Sequence, residues 1–527
     1  MAKFGNARPV GPPGLTSPVT STGPARTAEG GHGYTRDAKS ELFLLAVVNL
    51  VGEDSFYEAG DDRDDRFVRL VHQVTADDPA WVARFVPYLR EALNLRSASV
   101  VMAAEYARAL LVGQRPLSAP SPRSVVASAL GRPDEPAELI AYWTARYGRQ
   151  LPMALKRGVA DVVRRLYTER AALKYDGQGR AWRMGDVIEL THPKPTGPEQ
   201  AALFAWLLDR RHHPDSVRAD LGQLPMVAAN RRLQSLPQGE RRALLGQPDR
   251  LAEAGMTWES LSGWLGGPMD AAAWTAVLPS MGYMARLRNL RNLDQAGVAD
   301  DVAAEVAATL ADPARVARSR QLPFRFHSAY KAAPSERWSL ALERALQASV
   351  ANVPALPGRT LVLVDTSASM QMALSRRGTV SSVQVAALFG VALATRSGGV
   401  DLVGYATGSM PFRVPKAAGV LNLVTRFEHT IGQVGHGTET ARALRDRYAG
   451  HDRVIVITDG QAFWDPAGSV EHAVPADVPL YTFNTMGYRV GHARAGAANR
   501  HELGGLSDAA FTAIAALEER RNVGWPF

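Results

Sequence analysis

"RTLVLVDTSASMQ", Arg359–Gln371, is the stretch on which the fold of this 527-residue chain turns. The apolar run Leu361–Val364 ends in Asp365, and hydroxyls follow at alternate positions, Ser367 and Ser369. A short continuous apolar run bounded by a polar loop reads as a strand buried on both faces. Similar runs recur downstream in "VDLVGYA" (Val400–Ala406), "DRVIVITD" (Asp452–Asp459) and "VPLYTFNT" (Val478–Thr485). Between and after them lie helical patterns: "SVQVAALFGVALATR" (Ser382–Arg396), "TARALRDRYAG" (Thr440–Gly450) and "SDAAFTAIAALEERR" (Ser507–Arg521). Alternating β and α segments predict a parallel sheet with helices on both faces.

Upstream the pattern is different. From Gly30 to about Val350 the chain reads as successive amphipathic segments punctuated by Pro and Gly. Examples are "SELFLLAVVNLV" (Ser40–Val51), "SASVVMAAEYARALLV" (Ser97–Val112), "PEQAALFAWLLDRR" (Pro198–Arg211) and "SERWSLALERALQASV" (Ser335–Val350). Roughly fifteen short helices with short loops predict an array of stacked helix pairs of the HEAT or armadillo type. Residues 1–29 are rich in Gly, Pro, Ser and Thr without period, and predict a disordered leader. "VPALPGR" (Val353–Arg359) reads as a hinge. The expected organisation is therefore a leader over 1–29, a helical domain over 30–353 and an α/β domain over 354–527.

Composition narrows the chemistry. The chain is 46% hydrophobic and 21% charged, an ordinary globular mixture, and long enough for two or more domains. It has no cysteine, which excludes disulfides, thiolate zinc sites, iron–sulfur clusters and a cysteine nucleophile. No stretch of about 20 apolar residues occurs, and the N-terminus shows no charged start followed by an apolar run. A cytoplasmic protein without a membrane span is expected.

Ligands of open parallel sheets collect at the carboxyl ends of the strands. Asp365 sits at such an end, and Ser367 and Ser369 can both turn toward one point beside it. Thr438, in the glycine-rich "GHGTET", and Asp459, at the end of "VIVIT", occupy similar places. Two carboxylates and three hydroxyls form a hard, all-oxygen donor set suited to a divalent cation, magnesium first and manganese second. The alternative is that Asp365 and the hydroxyls cap the following helix without an ion. No His or Lys lies within the motif as a general base, and no GxxxxGK[ST] is present to hold a nucleotide. No catalytic residue is assigned.

The net charge of +8 is unevenly placed. Ala141–Lys194 holds 11 basic and 5 acidic residues, whereas 51–80 holds 3 basic and 9 acidic. Read as one helix from Lys156 to Arg170, the first part of the basic window puts Leu155, Val159, Val162, Val163 and Leu166 on one stripe, with Arg157 and Arg164 opposite and Arg165 flanking. Lys174, Tyr175, Arg180, Trp182, Arg183, His192 and Lys194 follow. Basic residues interleaved with aromatics suit RNA; a solvated helix face is the alternative. Gly282–Leu293, read as a second helix carrying Arg286, Arg288, Asn289 and Asn292, is the other candidate contact.

These features together resemble known families. Asp365-x-Ser367-x-Ser369, the Thr438 loop and Asp459 resemble the metal-ion-dependent adhesion site of von Willebrand factor A domains, with His436 interrupting the glycine run before Thr438. The resemblance implies that the serines bind metal directly, and that one position is left for a partner's acidic group. A long helical domain followed by such a domain resembles the Ro 60 kDa autoantigen family, the TROVE-domain proteins and their bacterial members. "GGHGYTRDAKSEL" (Gly30–Leu42), "LKYDGQGRAWRMGDVIELTHPKP" (Leu173–Pro195), "WTAVLPSMGYMARLRNLRNL" (Trp274–Leu293) and "LPFRFHSAYKA" (Leu322–Ala332) carry that likeness.

The Ro resemblance implies a closed, monomeric ring of HEAT-like repeats clasped by the A domain. It implies a non-catalytic scaffold that binds small structured Y-like RNA on a basic outer surface and single-stranded 3′ ends of misfolded or unprocessed RNA in the ring. It further implies work in RNA quality control, maturation or degradation beside an exoribonuclease such as polynucleotide phosphorylase. On that resemblance Lys174, Arg180 and His192 match RNA-contacting positions, with Arg183 able to stand in for Arg180. The alternative is an A-domain adaptor for protein partners such as an AAA+ ATPase.

Overall fold

The computed structural model describes residues 16–48, 53–113, 118–177, 179–214, 219–321, 323–351, 353, 355–373, 380–415, 418–466, 468–505, 514–515, 517–519 and 524–527. The chain divides into two compact units. One holds Met1–Leu70, Leu322–Phe324 and Leu346–Phe527; the other holds Val71–Gln321 and Arg325–Ala345.

The first unit is built on a six-stranded sheet. Its strands are β3 (Thr360–Asp365), β4 (Val400–Tyr405), β5 (Ser409–Phe412), β6 (Arg453–Thr458), β7 (Leu480–Asn484) and β8 (Arg500–Gly504), in the order β5-β4-β3-β6-β7-β8. All pairings are parallel except β4–β5. The antiparallel edge was not expected, because "SMPF" is a short run after β4; a tight return closed by Ala406 N–H to the Gly408 carbonyl (2.8 Å) makes it a hairpin.

Leu361–Val364 have no solvent exposure, because helices cover both faces of β3. Leu361 and Leu363 pack with Ala441 and Leu444 of the helix Thr440–Arg447. The helix Ser382–Arg396 packs on β3 and β4, buried over most of its circumference. A Cβ at Gly390 would stand 2.9 Å from both Leu402 Cδ1 and Val364 Cγ2, so glycine permits this close approach. The chain leaves β3 for β4 on one side and returns to β6 on the other. Asp365 therefore stands at a topological switch point.

An N-terminal hairpin belongs to the same unit. β1 (Ser21–Arg26) pairs antiparallel with β2 (His32–Arg36), so residues 16–29 are not a disordered leader; residues 1–15 lie outside the described residues. Composition signals disorder when a segment lacks apolar surface to bury. This one is fixed instead by backbone pairing and one buried ion pair. Tyr34 N–H donates to the Gly491 carbonyl (2.8 Å) and Ser21 N–H to that of Ala495 (3.2 Å). Arg36 donates through Nε to Glu502 Oε2 (2.6 Å) and through Nη1 to the carbonyls of Tyr488 (3.0 Å) and Arg489 (3.2 Å). Arg66 Nη2 donates to the Gly487 carbonyl (3.0 Å). Long-range bonds of this kind place residues before Leu70 with the sheet rather than with the helices that follow.

Arg36 and Glu502 side chains are 1% and 2% exposed. Replacing Arg36 by Met leaves Glu502 buried without its cation and is expected to cost about 3–5 kcal/mol. Changing Glu502 to Gln as well is expected to recover part of that loss. Denaturant unfolding of the single and double variants checks this.

The second unit is helical. Twenty-one α-helices precede β3 among the described residues, more and shorter than the roughly fifteen expected from sequence pattern. Two expected helices are each broken in two. The segment Lys156–Arg170 stops at Leu166; Tyr167 is extended, and Thr168 accepts from Ala171 N–H (3.2 Å) to start the helix Glu169–Tyr175. Gly282–Leu293 divides at Asn289 (φ −105°, ψ 9°) into Tyr283–Arg288 and Leu290–Gln295. A β-branched, Thr-capped restart leaves no gap in hydrophobic period, so periodicity alone runs through it. Gly158 lets the helix Met153–Leu166 approach Pro122–Ala129: a Cβ there would lie 2.7 Å from the Arg123 carbonyl oxygen. Late in the unit, Arg320 Nη2 donates to the Glu91 carbonyl (2.5 Å), joining positions 229 residues apart. Among the described residues no helix is long and apolar enough to cross a membrane.

Candidate metal centre and nucleic-acid interface

At the switch point the loops after β3 and β6 face each other. Asp365 ends β3 and is fully buried. Its Oδ1 accepts from Ser367 N–H (2.9 Å) and its Oδ2 from the Thr458 hydroxyl (2.6 Å). The first bond bends the chain so that Ser367 and Ser369 converge, with hydroxyls 3.3 Å apart. Asp459 follows β6, also fully buried; its Oδ1 accepts from Gln461 N–H (2.9 Å). Its Oδ2 is buried with no hydrogen-bond partner.

Thr438, 2% exposed, rides on a loop tied to both neighbours: Ala368 N–H donates to the His436 carbonyl (3.1 Å) and Phe463 N–H to that of Thr438 (3.2 Å). The structure thus gathers the loops carrying Asp365, Ser367, Ser369, Thr438 and Asp459 at one end of the sheet. Helix capping does not account for them. The following helix is capped by Ser381 and Gln384, and Asp365 serves Ser367 and Thr458 instead.

Burial pushes both carboxyls up from their ordinary range, and the Asp365 charge adds to the effect on Asp459. Two buried carboxyls beside each other, with one oxygen orphaned, form an environment that a divalent cation would relieve. Among the described residues no group of three or more His, Cys, Asp or Glu side chains could hold a metal. Three of the five donors here are hydroxyls, a set that fits magnesium or manganese.

The basic candidates lie in the helical unit. Arg157 and Arg164 are exposed, opposite the buried stripe Leu155, Val159, Val162 and Val163. Arg165 donates to the Leu130 carbonyl (2.7 Å), which brings this helix to the loop that carries Arg132. There the strongest cluster forms. Lys174 Nζ and Arg132 Cζ stand 5.2 and 5.5 Å from the Tyr175 ring centroid. Asp134, only 4% exposed, takes ion pairs from Arg132 (2.9 Å), Arg96 (3.2 Å) and Arg180 (3.7 Å). Glu135, fully buried, takes Arg96 (3.0 Å) and Arg90 (3.2 Å).

Arg183 is corrected. It is buried, paired with Asp176, and its N–H donates to Asp186 Oδ2 (2.8 Å) at the start of the helix Met184–Thr191. It therefore cannot present its guanidinium to an outside phosphate or stand in for Arg180. His192 caps that helix in the left-handed conformation (φ 47°), its N–H bonded to the Ile188 carbonyl (2.9 Å) and its side chain exposed. Arg288 is exposed and lies elsewhere, beside Arg325, whose guanidinium is pushed down by burial and then by the Arg288 charge. Asn289 is a packing residue: buried, it donates to the Ala285 carbonyl (2.8 Å) and accepts from Asn292 (2.7 Å). Arg286 is likewise internal, bonded to the carbonyls of Met281 (3.1 Å) and Leu278 (2.8 Å).

Sequence reasoning missed Arg90, Arg96 and Arg132. They stand upstream of the basic window, each near an acid of similar charge density, so no local excess marked them. The hint was only that Asp134-Glu135 opens a helix.

The family model of the TROVE domain matches residues 235–335. The fold is similar to the crystal structure of the Deinococcus radiodurans Ro (RSR) protein, with a TM-score of 0.61 and 18% sequence identity, covering 92% of this chain and 100% of that one. No curated protein sequence matches. At that identity the structural likeness is one of fold.

Proposed function

We propose that this chain, which matches the TROVE domain model over residues 235–335 and is similar in fold to a Ro protein, is a non-catalytic scaffold that binds RNA. The carrying observation is the cation cluster around Tyr175. Arg90, Arg96, Arg132 and Arg180 are held together by the largely buried carboxylates of Asp134 and Glu135, and Lys174 stands over the Tyr175 ring beside Arg132. Arg180 is 41% exposed and its ion pair is loose at 3.7 Å, so a phosphate can take its place beside Asp134's partners. Lys174 and Arg132 against an aromatic ring offer a charged, stackable surface for a small structured Y-like RNA.

Arg157, Arg164 and His192 extend the exposed positive face. Arg288 and Arg325 mark a second place suited to single-stranded 3′ ends, and the Arg320–Glu91 link supports a closed arrangement of the helices. In this reading the protein presents RNA to an exoribonuclease such as polynucleotide phosphorylase, works in RNA quality control in the cytoplasm, and is monomeric. Asp365, Ser367, Ser369, Thr438 and Asp459 hold magnesium, or manganese in its place. The cation would neutralise the buried carboxylates and offer a position to an acidic group.

Phosphate capture is salt-dependent. Titrating a labelled stem-loop RNA against the full chain from low to moderate salt is expected to give a log–log slope of about −3 to −5, reflecting release of a comparable number of counterions. A slope near zero would refute the assignment. An adaptor reading, with an AAA+ ATPase as partner, is favoured by one feature: Phe463 and Trp464, 41% and 60% exposed, on the loop after Asp459. RNA co-purifying with the protein and removed by ribonuclease, seen in the 260/280 nm absorbance ratio, separates the two.

A further inference from the structure

The N-terminal hairpin lies against the metal centre. Its turn, Thr27–Gly31, is seated on the loop that follows Asp459. The Thr27 hydroxyl donates to the Ala462 carbonyl (2.5 Å), Gly31 N–H to the same oxygen (3.2 Å), and Ala28 N–H to Gln461 Oε1 (2.8 Å). Gly30 forms a β-bridge with Phe463. A Cβ at Gly31 would fall 2.3 Å from the Ala462 carbonyl oxygen, so the two loops touch as closely as backbones can. Ala28 is thereby two hydrogen bonds from the metal centre, since Gln461 N–H donates to Asp459 Oδ1.

The turn carries an acid. Glu29 accepts from the Tyr57 hydroxyl. The Tyr57 ring stands edge-on to Tyr488, centroids 5.5 Å apart. Burial, then the bond to Glu29, then the Asp459 charge push the Tyr57 phenol up, and the Ser369 hydroxyl acts on it in the opposite sense. Tyr488 is pushed up to about 12 by burial and then by Asp459. Glu29 in turn adds to the upward push on Asp459. Tyr57 thus holds Glu29 on the turn, whose Ala28 N–H bonds to the same Gln461 that serves Asp459. Among the described residues Glu29 does not join the two aspartates in a three-acid cluster.

We propose that Glu29, held by Tyr57 on the docked hairpin, is the chain's own acidic latch for the metal centre, drawn to the bound cation and competing there with an external carboxylate. The inference rests on the metal reading above. Its electrostatic basis is simple. Asp365 and Asp459 balance one divalent cation; a third carboxylate on the turn docked beside them is drawn toward that site only when the cation is present. Metal binding should therefore tighten the hairpin, and an outside acid must displace Glu29 to reach the ion.

The test uses Mn2+ and the full chain, with affinity read by electron paramagnetic resonance and amide exchange read over residues 21–36. Wild-type protein is expected to bind Mn2+ and to slow exchange in the hairpin on doing so. Glu29→Gln is expected to weaken Mn2+ binding about fivefold, equivalent to about 1 kcal/mol, to lose the added protection, and to bind acetate at the metal more readily. Unchanged affinity and protection in Glu29→Gln would overturn the latch and leave the metal centre standing. No Mn2+ binding by wild type would overturn both. Because the exchange comparison with and without Mn2+ uses wild-type protein, it holds even if the variant folds poorly.

Discussion

Lys174→Ala with Arg180→Ala is expected to weaken binding of a stem-loop RNA by roughly 10–30-fold at moderate salt, and to lower the salt slope by about 2. Both side chains are exposed and anchored only from outside: Lys174 lies over Tyr175 and Arg180 sits 3.7 Å from Asp134. Their removal strips two phosphate partners and leaves buried Asp134 still paired with Arg132 and Arg96, so thermal stability should hardly change. The loss should be similar for stem-loops of different sequence, because phosphate contacts position without reading bases.

Arg183→Ala provides the contrast. Arg183 is buried against Asp176, which keeps Arg210 at 3.3 Å and the Met184 N–H at 2.9 Å once it is gone. That change is expected to cost about 3 kcal/mol of stability and to affect RNA only through folding. Affinity and denaturant midpoint measured side by side distinguish the two residues. If Arg183→Ala weakened RNA binding at full stability, the division between outer and inner arginines would be wrong.

The second large effect concerns the proposed metal centre. Asp459→Asn is expected to stabilise the cation-free protein by about 1–3 kcal/mol and to eliminate the stabilisation that Mg2+ or Mn2+ gives wild type. The variant keeps Oδ1 for the Gln461 N–H and removes one of two buried charges. The sign follows from the direction of the shifts. Asp365 and Asp459 are raised in the folded state, so their charged forms are penalised there. Without cation, the contribution of these two groups to wild-type stability is fullest below the ordinary carboxylate range and is lost as pH rises toward neutrality, where both carboxyls must ionise. Asp459→Asn should flatten that fall. Thermal unfolding from pH 4 to 8, with and without Mg2+, reads both effects. Equal metal-induced shifts in variant and wild type would remove Asp459 from the centre.

What the sequence disclosed follows from the range of the forces involved. β3 was legible because Leu361–Val364 is apolar on both faces, and burial on both faces is a local requirement. That Asp365, Ser367, Ser369, Thr438 and Asp459 share one end of the sheet was legible because each lies at or just after a strand end or before a helix, where sheet topology brings such positions together. The hairpin was not. Ser21–Arg26 carries no apolar alternation, and the order of the hairpin depends on Gly491, Ala495 and Glu502, more than 450 residues from the Tyr34, Ser21 and Arg36 that bind them. The restart at Thr168 was hidden for a different reason, because the hydrophobic period continues across it while the backbone does not. Arg132 escaped notice because its role comes from Tyr175 and Asp134, one of them 43 residues downstream. Arg183 was misread for the converse reason: charge counts do not show that Asp176 buries it.

The most direct test of RNA capture by this surface is ultraviolet crosslinking of a labelled stem-loop RNA to the full chain, followed by mass spectrometry of the crosslinked peptides. The structure predicts crosslinks concentrated at Tyr175 and in the peptides carrying Arg132, Lys174 and Arg180, lost when Lys174 and Arg180 are replaced by alanine. Crosslinks confined to the sheet unit, or unaffected by those replacements, would contradict it.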